Sequence, residues 1–153
     1  MAAYWRISNY ADLSGEGGRI STGRWHTGGQ PVVYLSDSPA SAMLERIVHL
    51  QDGSGKLPRF YDLLRIVAPD SIEIRELLPL AHIAWKKEVE STRRLGDAWL
   101  ASLETPLARV PSAIVAHTWN YLLSPLHPDA AQVQIAEAIR ERFDNRLFQF
   151  DAR

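Results

Sequence analysis

No cysteine occurs among the 153 residues, so disulfides and thiolate-held zinc or iron–sulfur centres are excluded, and any chemistry rests on oxygen and nitrogen groups. That usage agrees with a reducing compartment. Long apolar runs are missing too: no segment approaches the roughly 20 apolar residues that cross a bilayer. The opening "MAAYWRISNY" reaches Arg6 and Asn9 without the charged-then-apolar order of a secretory leader. A cytoplasmic protein that does not associate with membranes is expected. Excess charge is absent as well. Lys and Arg number 17 against 18 Asp and Glu, a net charge of −1, which is too little for a general attraction to phosphate backbones. Direct nucleic-acid binding is not expected. The five histidines, His26, His49, His82, His117 and His127, show neither HExxH nor another tight ligand spacing, and no metal is expected.

Repeats, low-complexity tracts and long Pro/Gly/Ser linkers are also lacking, so residues 1–153 read as one domain. A chain of this size buries roughly two-thirds of its unfolded surface in a single core. The hydrophobic share of 46% and charged share of 23% place it among ordinary globular proteins.

"LSGEGGRISTG" reads as a glycine-rich loop. "PVVYLS" has the make-up of a strand, and period two puts Val32 and Tyr34 on one face with Val33 and Leu35 on the other. Ser38 as N-cap and Pro39 at the first helical position open a helix through Ala40, Met43, Leu44, Ile47 and Val48, ended by "DGSGKLP". "YDLLRIVAP" and "SIEIREL" read as strands about a Pro-Asp turn. In "STRRLGDAWLASLE", Leu95, Trp99 and Leu103 line a helical stripe, Ser91 is the expected cap, and Gly96 marks a close approach by a neighbouring backbone. A short strand is expected over 113–116, with Ser112 at its start and Asn120 at its end, and another over 133–135. Strands and helices mix without a βαβ rhythm. The expected fold is α+β, a single compact domain of mixed β-sheet with flanking helices.

Arg24 lies between Gly23 and Trp25, with Gly28 and Gly29 following, so its planar fork could meet a phosphate or carboxylate where backbone approaches closely. A surface arginine in a turn is the competing reading. The glycines match neither G-x-G-x-x-G nor a Walker A loop. Tyr34 could stack on a flat ring or bond a ribose hydroxyl, or simply pack as strand tyrosines do. For Glu45, the helical wheel centres the apolar stripe between Leu44 and Ile47 and turns the carboxylate off the core side. It either pairs with His49 one turn on or points into a cleft walled by the glycine-rich loop. Ser112 and Asn120 are candidates that, taken singly, read as local backbone-bonding residues. His117 and His127 read as ordinary polar groups.

The segments "GRW…G…PVVYLSDSPASAMLE", "LGDAWL", "VPSAIV…NYLLSPLHP" and "FDNRLF" together resemble the RES-domain family over nearly the whole chain. The arginine, glutamate and serine for which that family is named match Arg24, Glu45 and Ser112, and Tyr34 matches a further functional tyrosine. The chain departs from the family at His26, where Asn is common, at His117 in "HTWN", where a glutamate is common, and at Ser124, where Asn precedes the proline. The resemblance implies a fold similar to ADP-ribosyltransferase toxins and an enzyme that consumes NAD as substrate. It also implies a toxin blocked by a neighbouring Xre-type helix-turn-helix antitoxin, and self-association as a homodimer within that complex.

In that frame Arg24 clamps the pyrophosphate of NAD and Tyr34 stacks at the nicotinamide–ribose end. Glu45 bonds the ribose hydroxyls and stabilises the cation-like ribosyl carbon, Ser112 orients ligand or glutamate, and Asn120 supports it. The ADP-ribosyl acceptor stays open between water, phosphate and a protein side chain. A ribonuclease with His26, His49 or His117 as acid and base, and a silent binding protein with a structural Arg24–Glu45 pair, are the alternatives from other classes.

Overall fold

The computed structural model describes residues 1–50, 58–81 and 83–148. Seven strands, β1 (Ala2–Ser8), β2 (Val33–Ser36), β3 (Phe60–Ala68), β4 (Ile74–Glu76), β5 (Leu107–Pro111), β6 (Trp119–Leu123) and β7 (Gln134–Arg142), form one sheet in the order β4-β5-β6-β2-β1-β3-β7. Among the described residues only the β4–β5 pair is parallel. The helices are α1 (Glu16–Ile20), α2 (Pro39–Leu50) and α3 (Val89–Ser102). This is the α+β arrangement that the mixed pattern predicts.

Inner strands send successive residues to opposite faces, and both faces are covered. One face buries Tyr4, Val33, Leu35, Leu64, Ile66 and Leu123. The other buries Val32, Ala108, Val110 and Leu122 against Trp25 and the α3 residues Trp99 and Leu100. The period-two reading of "PVVYLS" is therefore right: Val33 and Leu35 enter one core, while Val32 and the partly buried Tyr34 join the other.

Several sequence expectations need correction. The first ten residues suggest no element, yet β1 pairs with β3 through seven consecutive residues, from Ala2↔Ala68 to Ser8↔Asp62. A strand with polar alternate positions needs no apolar run. Residues 113–116 are not a strand but the loop of the β5–β6 hairpin, so Ser112 and Asn120 lie on opposite arms of it. The Ser112 N–H bonds the Thr118 carbonyl at 2.9 Å and His117 takes a left-handed φ of 59°, which together close that loop despite its β-branched residues. The strand expected over 133–135 begins at Gln134 and continues to Arg142 as a charged edge strand. The glycine-rich stretch holds the short helix α1. His82 and the "DGSGKLP" segment up to Leu57 lie outside the described residues.

In α3 the buried side is Thr92, Gly96, Trp99 and Leu100. Leu103 is not part of it: it ends the helix at a φ of 51°. Nor is Ser91 the cap, since the helix starts at Val89 and the Ser91 hydroxyl donates to the Glu88 carbonyl at 2.8 Å. Gly96 fulfils its reading, because a Cβ there would overlap the Trp25 carbonyl oxygen.

Candidate active site

Glu45 is placed by α2. Its helix begins as predicted, with the Ser38 hydroxyl accepting the Ser41 N–H at 3.1 Å. From that start Ala42 and Ile47 are buried, whereas Leu44 and Val48 are 43% and 47% exposed. The wheel reading is thus rotated, and Glu45, one turn after Ala42, faces the sheet rather than away from it. There Oε1 accepts from Asn120 Nδ2 at 2.8 Å and from the Ser112 hydroxyl at 3.5 Å. Among these contacts His49 is not a partner.

The β5–β6 hairpin supplies both partners. Asn120 lies opposite Val110 in the ladder, and Ser112 follows Pro111 at the end of β5. The Ser112 oxygen accepts the N–H groups of Ile114 and Val115 at 3.1 and 3.2 Å. Its lone pairs occupied, it has its proton available for Glu45. The carboxylate is therefore held by two donors, of which Ser112 is itself steadied by backbone N–H groups. Asn120 Oδ1 is buried and has no partner among the described residues, so an acceptor waits beside the glutamate.

The Arg24 segment is lashed to α3. Thr92 Oγ1 donates to the Arg24 carbonyl at 2.5 Å, Arg93 Nε to the Gly23 carbonyl at 2.8 Å, and Thr27 bonds both oxygens of Asp97 at 2.8 and 2.7 Å. With its backbone fixed this way, the Arg24 guanidinium makes one exposed bond, to the Lys86 carbonyl at 3.2 Å. Tyr34 meets the same segment from the sheet. Its oxygen accepts the Trp25 N–H at 3.2 Å and lies 2.6 Å from His26 Nδ1. Burial pushes its pKa well above the ordinary tyrosine value. The protein occupies the hydroxyl, and the partly buried residue packs against the second core cluster.

These residues surround two adjoining cavities of about 420 and 180 Å³. Tyr34, Glu45 and Asn120 line both, and Arg24 lines the larger. One wall is the glycine-rich segment and the other is α2, the cleft that the sharper reading of Glu45 anticipates. Ser112 lines neither cavity and reaches them only through Glu45. The structure thus brings Arg24, Tyr34, Glu45 and Asn120 together directly and Ser112 at one remove.

Arg6 and His49 also line both cavities. The sequence alone points to no role for Arg6, although the period-two order of "YWRIS" is a strand signal, and it offers His49 only as a partner of Glu45 one turn before it or as a ribonuclease acid or base. His26, 1% exposed, lines the larger cavity beside Tyr34. His127 accepts the Asp129 N–H at 2.9 Å, the ordinary local role expected of it.

The arrangement offers a cation able to grip an anion, an aromatic face, and one oriented carboxylate within a half-enclosed cleft. The RES domain model matches residues 3–145. A protein of Pseudomonas putida called Toxin Res is 45% identical, covering 94% of this chain and 98% of its own length. A Sphingobium protein called Prs ADP-ribosylating toxin is 34% identical, covering 96% and 97%. Among solved structures, the crystal structure of the M. tuberculosis MbcT-MbcA toxin-antitoxin complex contains a chain that superposes with a TM-score of 0.75. It is 21% identical over 96% of this chain and 86% of that one, a likeness of fold.

Proposed function

The chain belongs to the RES domain family, and on that footing we propose that it is the toxin of a toxin–antitoxin pair, an enzyme that breaks the nicotinamide–ribose bond of NAD in the cytoplasm. The observation that carries the reading is the Glu45 carboxylate, held at 2.8 Å by Asn120 in a cavity that Arg24 and Tyr34 also line. That set suits a substrate with an anionic pyrophosphate, a flat cationic base and a sugar carbon that becomes positive.

The bond from the anomeric carbon to the pyridinium nitrogen breaks with its electron pair passing to nicotinamide, which departs neutral. No strong general acid is needed. Positive charge develops on the ribosyl carbon and ring oxygen, and Glu45, already oriented by Asn120 and Ser112, stabilises it without reorganising. Arg24 holds the pyrophosphate through its fork, and the Tyr34 ring packs on the nicotinamide end. The acceptor then adds to the anomeric carbon and releases its proton to solvent. Water as acceptor gives ADP-ribose, phosphate gives ADP-ribose 1″-phosphate, and a protein side chain gives ADP-ribosylated protein. Net NAD degradation is our first reading. Modification of a host protein is the second, supported by the name of the Sphingobium relative. An Xre-type antitoxin covering the cleft, and a homodimer within that complex, are proposed from the family resemblance; the toxin–antitoxin assembly of the structural neighbour supports an antitoxin partner.

The test is nicotinamide release from NAD, followed by NMR, by antitoxin-free wild type and Glu45→Ala, with and without phosphate. Release by the wild type alone is expected, and the second product names the acceptor. Labelled NAD passing onto a lysate protein would place the second reading first. Intact NAD together with degraded RNA after induction would overturn both in favour of a ribonuclease, and tight NAD binding without turnover would favour a silent binder.

A further inference from the structure

We propose that His26 is a positioning residue that holds the Tyr34 hydroxyl and, through it, the backbone on both sides of Arg24. Its catalytic consequence rests on the reading of Arg24 and Tyr34 given above; its hydrogen-bond content does not.

For a neutral His26 the direction of the protons in the cluster follows from one carbonyl. His26 Nε2 lies 2.8 Å from the Gly18 carbonyl oxygen, which can only accept, so Nε2 carries the hydrogen. A neutral imidazole has a single N–H, which leaves Nδ1 bare. The Tyr34 hydroxyl, 2.6 Å away, therefore donates to Nδ1, and its oxygen accepts the Trp25 N–H at 3.2 Å. The chain runs from Trp25 N–H to Tyr34 O–H to His26 Nδ1, and from His26 Nε2–H to Gly18. Every polar atom of the imidazole is used, and the ring is 1% exposed.

Three separate pieces of chain meet at that ring: α1 through Gly18, β2 through Tyr34, and the Arg24 segment through His26 itself. The fit is tight on the side of Arg24. A Cβ at Gly23 would overlap the Tyr34 oxygen and stand 3.0 Å from two ring atoms of His26. Both neighbours of Arg24, Gly23 by close approach and Trp25 by hydrogen bond, thus abut the same hydroxyl. On the far side Thr92 and Arg93 hold the Arg24 and Gly23 carbonyls. Arg24 is presented to the cavity from a backbone clamped between α3 and the Tyr34–His26 pair.

Two replacements separate the two ring nitrogens. In His26→Asn the side-chain amide sits near the place of Nδ1 and offers an oxygen to Tyr34, but does not reach Gly18. In His26→Gln the amide reaches toward Gly18 and leaves the Tyr34 hydroxyl without its acceptor. Long-range ¹H–¹⁵N spectra of the labelled full chain are expected to show His26 as the Nε2–H tautomer. The Trp25 amide should exchange about tenfold faster in His26→Gln than in wild type, the net worth of one hydrogen bond, and within about twofold of wild type in His26→Asn. With NAD, KM should rise about tenfold in His26→Gln with kcat little changed, and return in His26→Asn, because uniform binding rather than the chemical step is affected. An Nδ1–H tautomer, or equal Trp25 exchange in the two variants, overturns the proposal. A wild type that neither binds nor cleaves NAD overturns the functional reading instead, and the tautomer and exchange measurements still decide the role of His26.

Discussion

Asn120 donates its side-chain amide to Glu45 at 2.8 Å across 75 residues of sequence, and this bond aims the carboxylate. A glutamate on a helix flank has free rotamers; one bonded to a side chain anchored in β6 does not. The bond joins α2 to the sheet at the point where the two cavities meet.

Replacing Glu45 by glutamine keeps the shape and removes the charge. The loss of one preorganised electrostatic group is expected to lower kcat for nicotinamide release on the order of 10²-fold or more. KM and Tm should stay near their wild-type values, as measured by initial rates and a thermal melt. A variant with unchanged turnover would remove Glu45 from the mechanism.

Asn120→Asp exchanges a donor for a second carboxylate. Two like charges at hydrogen-bond distance disfavour the charged form of each, so protons are retained to higher pH. The acid limb of the kcat profile should therefore move to higher pH than in wild type, and activity at neutral pH should fall. A profile with its acid limb unmoved would show that the side chain at position 120 does not lie at hydrogen-bond distance from Glu45 in solution.

Gly96→Ala tests the clamp from α3. The added methyl overlaps the Trp25 carbonyl, which belongs to backbone and cannot swing aside. A loss of about 1–3 kcal/mol is expected from overpacking, read from denaturant unfolding. At temperatures where the variant is still folded, its KM for NAD should rise, because Trp25 adjoins Arg24. Stability equal to wild type would mean that the helix and the segment are not in contact in solution.

Tyr34 carries a pH dependence of stability. Its pKa is raised by burial, the largest cause, so in the alkaline range the folded state keeps a proton that the unfolded state gives up. The stabilisation is complete below the unfolded value of about 10 and falls as pH rises beyond it. Tm should drop between pH 9 and 11 more steeply in wild type than in Tyr34→Phe. Part of the slope should survive the substitution, since burial raises the Tyr4 pKa as well. Below pH 9 the Phe variant should be the less stable by about 1–3 kcal/mol, because the Trp25 N–H and His26 Nδ1 both lose their partner.

What could be read along the chain was local. The Ser38 cap, the faces of "PVVYLS" and the glycine at position 96 depend on neighbours a few residues away, and period, capping geometry and the missing Cβ express them directly. The failures have equally definite causes. Leu44 and Val48 draw the wheel centre toward solvent, while the side facing the sheet carries small Ala42 and polar Glu45, both of which line the smaller cavity; functional sites break binary patterning. The β-branched "AIVA" suggested a strand, and the hydrogen bonds of Ser112 with backbone 2, 3 and 6 residues on made it a loop. The contacts of His26 leave no signal along the chain, since its partners are a tyrosine on β2 and a carbonyl in α1.

The order of residues determined the helix start and the alternation of the strands, because each is carried by spacing within a short window, and the resemblance to the RES domain family, which extends over residues 3–145, supplied the candidate residues of the site. Only the tertiary structure decided that Ser112 and Asn120 converge on Glu45 from 67 and 75 residues away, that Tyr34 turns its hydroxyl inward, and that α3 grips the Arg24 segment. Strand order and hairpin register set those contacts. They are a property of how distant segments pack, and no local interaction along the chain encodes them.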